Sequence, residues 1–208
     1  MTRSRHSRLL LAAGFASAAL IGHAADATPK AAAGGWTLAA TDSRLAFVSI
    51  KNDAVGEVHR FPALGGTVDA SGRLALEIAL DAVETGVPIR NERMRTMLFD
   101  TAAHPTAKVS AQVDAAAVRA LPVGASLSVA TPVTLSLHGL SGELPGEFRI
   151  THVSAQQWRV STEAPLIVNA ATFGLGEGVE ALRNVAKLQA ISAAVPVTAS
   201  LLFDLSGR

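Results

Sequence analysis

A mainly β, antiparallel barrel of about eight strands, carrying one or two short helices, is the fold this sequence predicts. Three observations predict it. Apolar and polar residues alternate with period two along most of the chain from Trp36 onward. Short clusters rich in Gly, Pro, Asp and Ser separate the alternating runs, as turns between neighbouring strands require. Helical spacing replaces the alternation in only two places. Successive strands joined by short turns pair antiparallel, and enough of them with one apolar face close into a barrel or pack as a sandwich.

The chain opens with Arg3, Arg5 and Arg8 ahead of an uncharged apolar run over residues 9–21, then small residues at Gly22, Ala24, Ala25 and Ala27. That order is the pattern of a secretory signal peptide over residues 1–27, with cleavage after Ala24 or Ala27, and it predicts a periplasmic protein. The run is shorter than the roughly 20 residues a membrane-spanning helix needs. No adjacent arginine pair is present, which argues against twin-arginine export. Residues 28–35 offer little beyond Ala, Pro and Gly and form a linker, so the domain is expected over residues 36–208.

Within the domain, Leu74, Leu76, Ile78 and Leu80 point one way while Ala75, Glu77, Ala79 and Asp81 point the other. The same alternation runs through Val133, Leu135 and Leu137, through Phe148 and Ile150, through Trp158 and Val160, and along the odd positions of residues 193–203. Turn clusters lie at residues 69–72, 139–146 and 154–157. The first helical stretch carries Ile89, Met94, Met97 and Leu98 with Arg90, Glu92, Arg93 and Arg95 between them. The second covers residues 179–188, where Val179, Leu182, Val185 and Leu188 form one face and Glu180, Arg183 and Lys187 the other.

Composition excludes several functions. Of the 208 residues 49% are apolar and 17% charged, with a formal net charge of +1, so no basic footprint for nucleic acid exists. Removing Arg3, Arg5 and Arg8 from the 18 basic residues leaves fifteen against 17 acidic ones. With no cysteine there is no disulfide, thiol nucleophile, cysteine-ligated metal or acylated anchor. The chain has no nucleophile elbow, phosphate loop or paired-histidine zinc motif, so neither catalytic nor metal residues are assigned and no cofactor is expected. His59, His104, His138 and His152 are widely spaced, and His138 follows the outward positions Thr134 and Ser136, which predicts exposure. Gly34-Gly35-Trp36 matches the G-x-W opening of lipocalins, too short a match to carry a family, and Trp36 is read as a plug for one barrel end. An outer-membrane barrel is disfavoured because there is no tyrosine, only 2 tryptophans, and no aromatic strand terminus.

An eight-stranded barrel is either filled by its own side chains or just wide enough for one small ligand. Periodicity leaves both open. A ligand inside this one would be apolar and elongated, because the inward positions are aliphatic. The candidate contacts are Phe47 and Phe61 in the early strands, then Leu74, Leu76, Ile78 and Leu80. Val133, Leu135, Leu137, Phe148, Ile150 and the late Phe173 complete the interior set. The filled alternative is a protein-interaction module, docking to a membrane redox protein through its helical face.

Residues 90–109, "RNERMRTMLFDTAAHPTAKV", resemble the signature of the YceI-like family of polyisoprenoid-binding periplasmic proteins, an R-D-x-H-L-R segment followed by an aromatic residue and a proline entering a strand. "AVETGVPI" with Thr85, "VTLSLHG" over 133–139 and Phe173-Gly174 resemble further family elements. Asn91 stands for the usual aspartate, Arg93 for histidine and Met94 for leucine, the stretch to Pro105 is one residue shorter, and the second helix is longer. The resemblance implies a lipocalin-like barrel holding an isoprenoid, a quinone tail or another apolar lipid, without bond chemistry. It implies a helical lid whose underside is Met94, Met97, Leu98 and Phe99. Arg90 matches the family arginine and is expected in a structural ion pair with Glu84 or Asp100, or secondarily against a headgroup.

Overall fold

The computed structural model describes residues 35–206, so the expected signal peptide and all of the expected linker except Gly35 lie outside the described residues. Thirteen strand segments form one sheet, and every pairing in it is antiparallel. They are β1 (Trp36–Leu38), β2 (Arg44–Lys51), β3 (Val55–Arg60), β4 (Leu64–Val68), β5 (Arg73–Ala79), β6 (Thr106–Gln112) and β7 (Ser126–Ala130). The rest are β8 (Val133–Leu137), β9 (Leu140–Leu144), β10 (Glu147–Ser154), β11 (Gln157–Thr162), β12 (Leu166–Asn169) and β13 (Ala194–Leu205).

Thirteen segments and the expected eight strands are reconciled by the register. The pairing Ala130↔Glu147 continues through the Thr131 N to Gly146 O bond into Val133↔Leu144, so β7 with β8 and β9 with β10 are two bent strands of one long hairpin. β1 with β2, β3 with β4, and β11 with β12 are likewise single strands interrupted in mid-course, since each pair lies along the same neighbour. Together with β5, β6 and β13 these make eight staves in a meander, each paired with the next, and β13 pairs back onto β1 and β2. The barrel therefore closes. Pro62, Pro132, Pro145 and Pro165 sit at four of the five interruptions; proline donates no ladder hydrogen bond, so each ends a segment and lets the stave bend.

Three helices stand at the barrel ends. α1 (Pro88–Arg93) begins with proline at its first turn and runs directly into a π turn, Met94–Leu98, both between β5 and β6. α3 (Gly176–Val185) lies between β12 and β13 at the same end and packs on the π turn. Gly178 allows the approach: a Cβ there would stand 2.7 Å from Met97 O and 2.9 Å from Leu98 Cα. α2 (Ala115–Arg119) stands at the opposite end, capped by Asp114, whose carboxylate accepts from Ala116 N and Ala117 N at 2.9 and 3.2 Å. Sequence periodicity missed α2 because an alanine run carries no amphipathic pattern.

Both expected helices are present, with shifted ends. Leu188 falls beyond α3, and the first stretch is α-helical only to Arg93. His138 is not the exposed strand residue expected: it is half-buried with φ 52°, forms the tight turn from β8 to β9 with Gly139 (φ 78°), and its ring lies 4.4 Å from that of His104. The type I′ hairpin turn needs positive φ at both positions, which alternation cannot show. Among the described residues no helix is long and apolar enough to cross a membrane.

Candidate functional site: an apolar cavity under a helical lid

The staves enclose a cavity of about 540 Å³. Trp36, at the start of β1, and Val118 of α2 border one end; Leu98 of the π turn and Val179 and Leu182 of α3 border the other. Between them the wall is built by alternate residues of each stave. Leu74, Leu76 and Ile78 of β5, with Leu80 just beyond it, line the cavity as the alternation predicts. So do Val133, Leu135 and Leu137 of β8, Phe148 and Ile150 of β10, and the odd positions 195–203 of β13. Phe47 and Phe61 also line it, with ring centroids 5.2 Å apart, and Phe61 meets Phe99 at 5.9 Å. Trp36 stands edge-on to Trp158 at 6.5 Å near the α2 end.

Two of the expected contacts lie elsewhere. Met97 is 37% exposed and does not reach the cavity, whereas Phe99, at 6% exposure, does. The cause is the π turn, in which Phe99 N donates to Met94 O at 2.9 Å across five residues. Its wider winding brings Met94, Leu98 and Phe99 to one side and rotates Met97 away, where α-helical spacing would have kept it. Phe173 is buried to 1% exposure outside the cavity wall, its ring packed where a side chain on Gly142 of β9 would stand. Val179, Leu182, Val185 and Leu188 all face the cavity, although only the first three lie in α3.

Polar groups gather at the lid end. Arg90 pairs with neither Glu84 nor Asp100. Its Nη1 donates to Glu57 Oε2 at 2.5 Å and its Nη2 to Thr85 O at 2.7 Å. Glu57 Oε2 also meets Lys51 Nζ at 2.7 Å, and these two cations hold the Glu57 carboxyl below the usual carboxylate range. Glu57 lies on β3, more than thirty positions upstream, which is why local sequence proposed nearer acids instead. Glu84 accepts from Gly86 N at 2.5 Å and from Asn91 Nδ2 at 3.3 Å. Asn91 is buried and accepts at Oδ1 from Thr85 N (2.9 Å) and Thr85 Oγ1 (2.6 Å), which ties the start of the lid to the strand end. Glu92 pairs with Arg95 at 2.7 Å on the outer face.

His59 lies opposite Phe47 in the β2–β3 hairpin, and its Nε2 shares a 2.8 Å hydrogen bond with Ser49 Oγ. Burial, and then the nearby Arg90, push its pKa below the ordinary histidine value. A hydroxyl beside an imidazole is the start of a nucleophile and base, but an orienting acid on the other nitrogen is also needed. Here Nδ1 is buried without a hydrogen-bond partner, so nothing fixes the tautomer. Among the described residues no three His, Cys, Asp or Glu side chains gather as a metal site.

The family profile described as the YceI-like domain matches residues 36–203. The chain belongs to the YceI-like family. A solved structure similar to this chain is that of a polyisoprenoid binding domain from Saccharophagus degradans implicated in plant cell wall breakdown. It is 41% identical, with a TM-score of 0.79 over 81% of this chain and 97% of that one. BcnA of Burkholderia cenocepacia shares the fold at 14% identity, with a TM-score of 0.62 over 79% of this chain and 98% of that one. No curated protein matches the chain in sequence.

Proposed function

We propose that this YceI-like protein binds a long apolar chain, a polyisoprenoid or similar lipid, inside its barrel and carries or buffers it in the periplasm without making or breaking bonds. The observation that carries the reading is the cavity: about 540 Å³, walled by aliphatic and aromatic side chains from all eight staves. At about 30 Å³ for each water-sized group, that volume holds on the order of eighteen non-hydrogen atoms, or three to four five-carbon units. Each buried CH₂ contributes about 0.8 kcal/mol before ordering costs, so such a chain gains enough to bind tightly. The polyisoprenoid-binding relative at 41% identity supports the same ligand class. Export is supported by Arg3, Arg5 and Arg8 ahead of the apolar run and by the small residues that follow it. A filled barrel acting only as a docking module loses its premise where the interior is hollow.

Native mass spectrometry of the protein purified from its own source, followed by solvent extraction, tests the proposal. A discrete adduct with isoprene-spaced fragments is the expected result. Leu135→Trp, which places an indole in mid-cavity, should leave the fold intact and abolish uptake. Undiminished lipid uptake by the folded Leu135→Trp protein would defeat the interior site.

A further inference from the structure

The histidines stand far apart in the sequence, yet the fold brings two of them together outside the cavity. The rings of His104 and His138 have centroids 4.4 Å apart and planes tilted by 55°, and neither residue lines the cavity wall. The other two histidines of the domain are engaged. His59 Nε2 shares its hydrogen bond with Ser49 Oγ, and His152 Nδ1 lies 2.7 Å from Leu121 O while its ring stacks on Trp158. Among the described residues these are the only histidine ring nitrogens with a hydrogen-bond partner, so those of His104 and His138 are uncommitted. Both residues are half-buried, which leaves their rings within reach of solvent.

Fixed backbone presents both rings. His104 precedes Pro105, which disfavours helical backbone at that position, and its N–H donates to Asp100 O at 2.8 Å. His138 takes the first central position of the type I′ turn at φ 52°, where asparagine or aspartate before glycine is preferred, so the turn itself does not call for an imidazole. Glycines leave the rings uncovered. A Cβ on Gly139 would lie 3.4 Å from His104 Cε1, and one on Gly174 would lie 3.5 Å from His138 Nδ1. Aromatic packing accounts for two adjacent rings, but it uses none of their nitrogens.

We propose that His104 and His138 form a binding site for one Cu(II) ion, each giving one ring nitrogen, with water completing a tetragonal shell. The spacing selects the ion. Two imidazoles held at a right angle by metal–nitrogen bonds of about 2.0 Å bring their ring centroids to about 4.5 Å, whereas the tetrahedral angle that zinc favours needs about 5.2 Å. Imidazole suits Cu(II), which also heads the affinity order of the divalent first-row metals. Among the described residues no third His, Cys, Asp or Glu side chain joins the pair, so the remaining positions fall to water. The site ties the segment that follows the lid to the β8–β9 turn, and it stands apart from the cavity and from chain binding.

Copper titration of the purified, untagged protein tests the site, read by calorimetry against a glycine competitor and by electron paramagnetic resonance. One ion per chain should bind, with a tetragonal spectrum split by two nitrogens. His138→Asn, which suits the positive φ of the turn, and His104→Gln should each weaken binding by about a hundredfold, since loss of even an outer-shell partner costs about 10–100-fold. Copper retained at parent affinity by either variant overturns the assignment. A spectrum with a single nitrogen overturns it as well, and so does Zn(II) binding as tightly as Cu(II). A measurement on the parent protein removes any dependence on how the variants fold: substoichiometric Cu(II) should broaden the ring proton resonances of His104 and His138 before those of His59 and His152. Uniform broadening, or broadening centred on another residue, defeats the proposal.

Discussion

Replacing Gly178 by alanine separates the packing of the lid from its helical propensity. By propensity alone the change stabilises α3, since glycine costs a helix interior about 1 kcal/mol relative to alanine. The structure demands the opposite outcome. The new Cβ would meet Met97 O at 2.7 Å and Leu98 Cα at 2.9 Å, both backbone atoms that no rotamer change can move. Restoring an ordinary separation requires α3 to retreat by about 0.7 Å from the π turn, a displacement of the kind that costs about 1–3 kcal/mol in packed protein. Subtracting the propensity gain leaves a net loss of about 1 kcal/mol, or about 2–4 °C in Tm for a chain of this size. Gly176→Ala, at the start of the same helix with nothing within 4 Å of its Cβ, is the control and should lose nothing. Calorimetric melting of both variants decides it. Gly178→Ala melting at or above Gly176→Ala would refute the claim that a backbone-to-backbone contact holds the lid.

Three further outcomes follow from the site. Phe99→Ala should cost about 3–5 kcal/mol as a buried aromatic truncated against Phe61, whereas Met97→Ser should stay within about 0.5 kcal/mol; comparable losses in denaturant melts would contradict the π-turn geometry. Glu57→Gln should lower stability by about 1 kcal/mol, a modest figure because Glu57, Lys51 and Arg90 are all partly exposed, and a double-mutant cycle with Arg90→Gln should show coupling between the two positions. Stability should fall with acid in two stages. His59, depressed by burial in the folded state, lets the unfolded chain bind the extra proton as pH drops below about 6.5, and Glu57, also depressed, adds its loss as pH falls below 4.5 toward its folded value. His59→Gln should remove the first stage, and a Tm that is flat from pH 7.5 to the onset of the second stage in the parent protein would count against it.

The barrel was legible in the sequence because alternation is a local property. Leu76, Ile78, Leu135 and Ile150 declare their side of the sheet through their immediate neighbours, and each lies where that reading puts it. The subdivision of the staves was harder to see, since Pro62 or Pro165 in a sequence marks a turn as readily as a bend within one strand. Partnerships across the fold were not legible at all. The Glu57–Arg90 pair and the Ser49–His59 contact join residues that only the β2–β3 hairpin and the lid bring together. Met97 turns out of the cavity, while Phe99 stays in it, because a single π hydrogen bond changes the facing of everything after Met94, and no residue pattern announces it.

Whether an eight-stave barrel is hollow depends on the volume of its inward side chains, and here the sequence held an unread clue. Ala107 and Ala111 of β6 alternate with Val109, and Ala199 of β13 lies between Val197 and Leu201, all facing the cavity. Small residues on two well-separated staves leave room that the leucines and phenylalanines of the others cannot fill without abandoning their rotamers. Enlarging Ala107, which is buried opposite Ile78, would fill space from the wall inward, and Leu135→Trp does so from the neighbouring stave. The prolines and the lid then give this hollow its direction: bent staves close the barrel, α2 and Trp36 border an apolar end, and the hairpin and α1 gather every charge at the other.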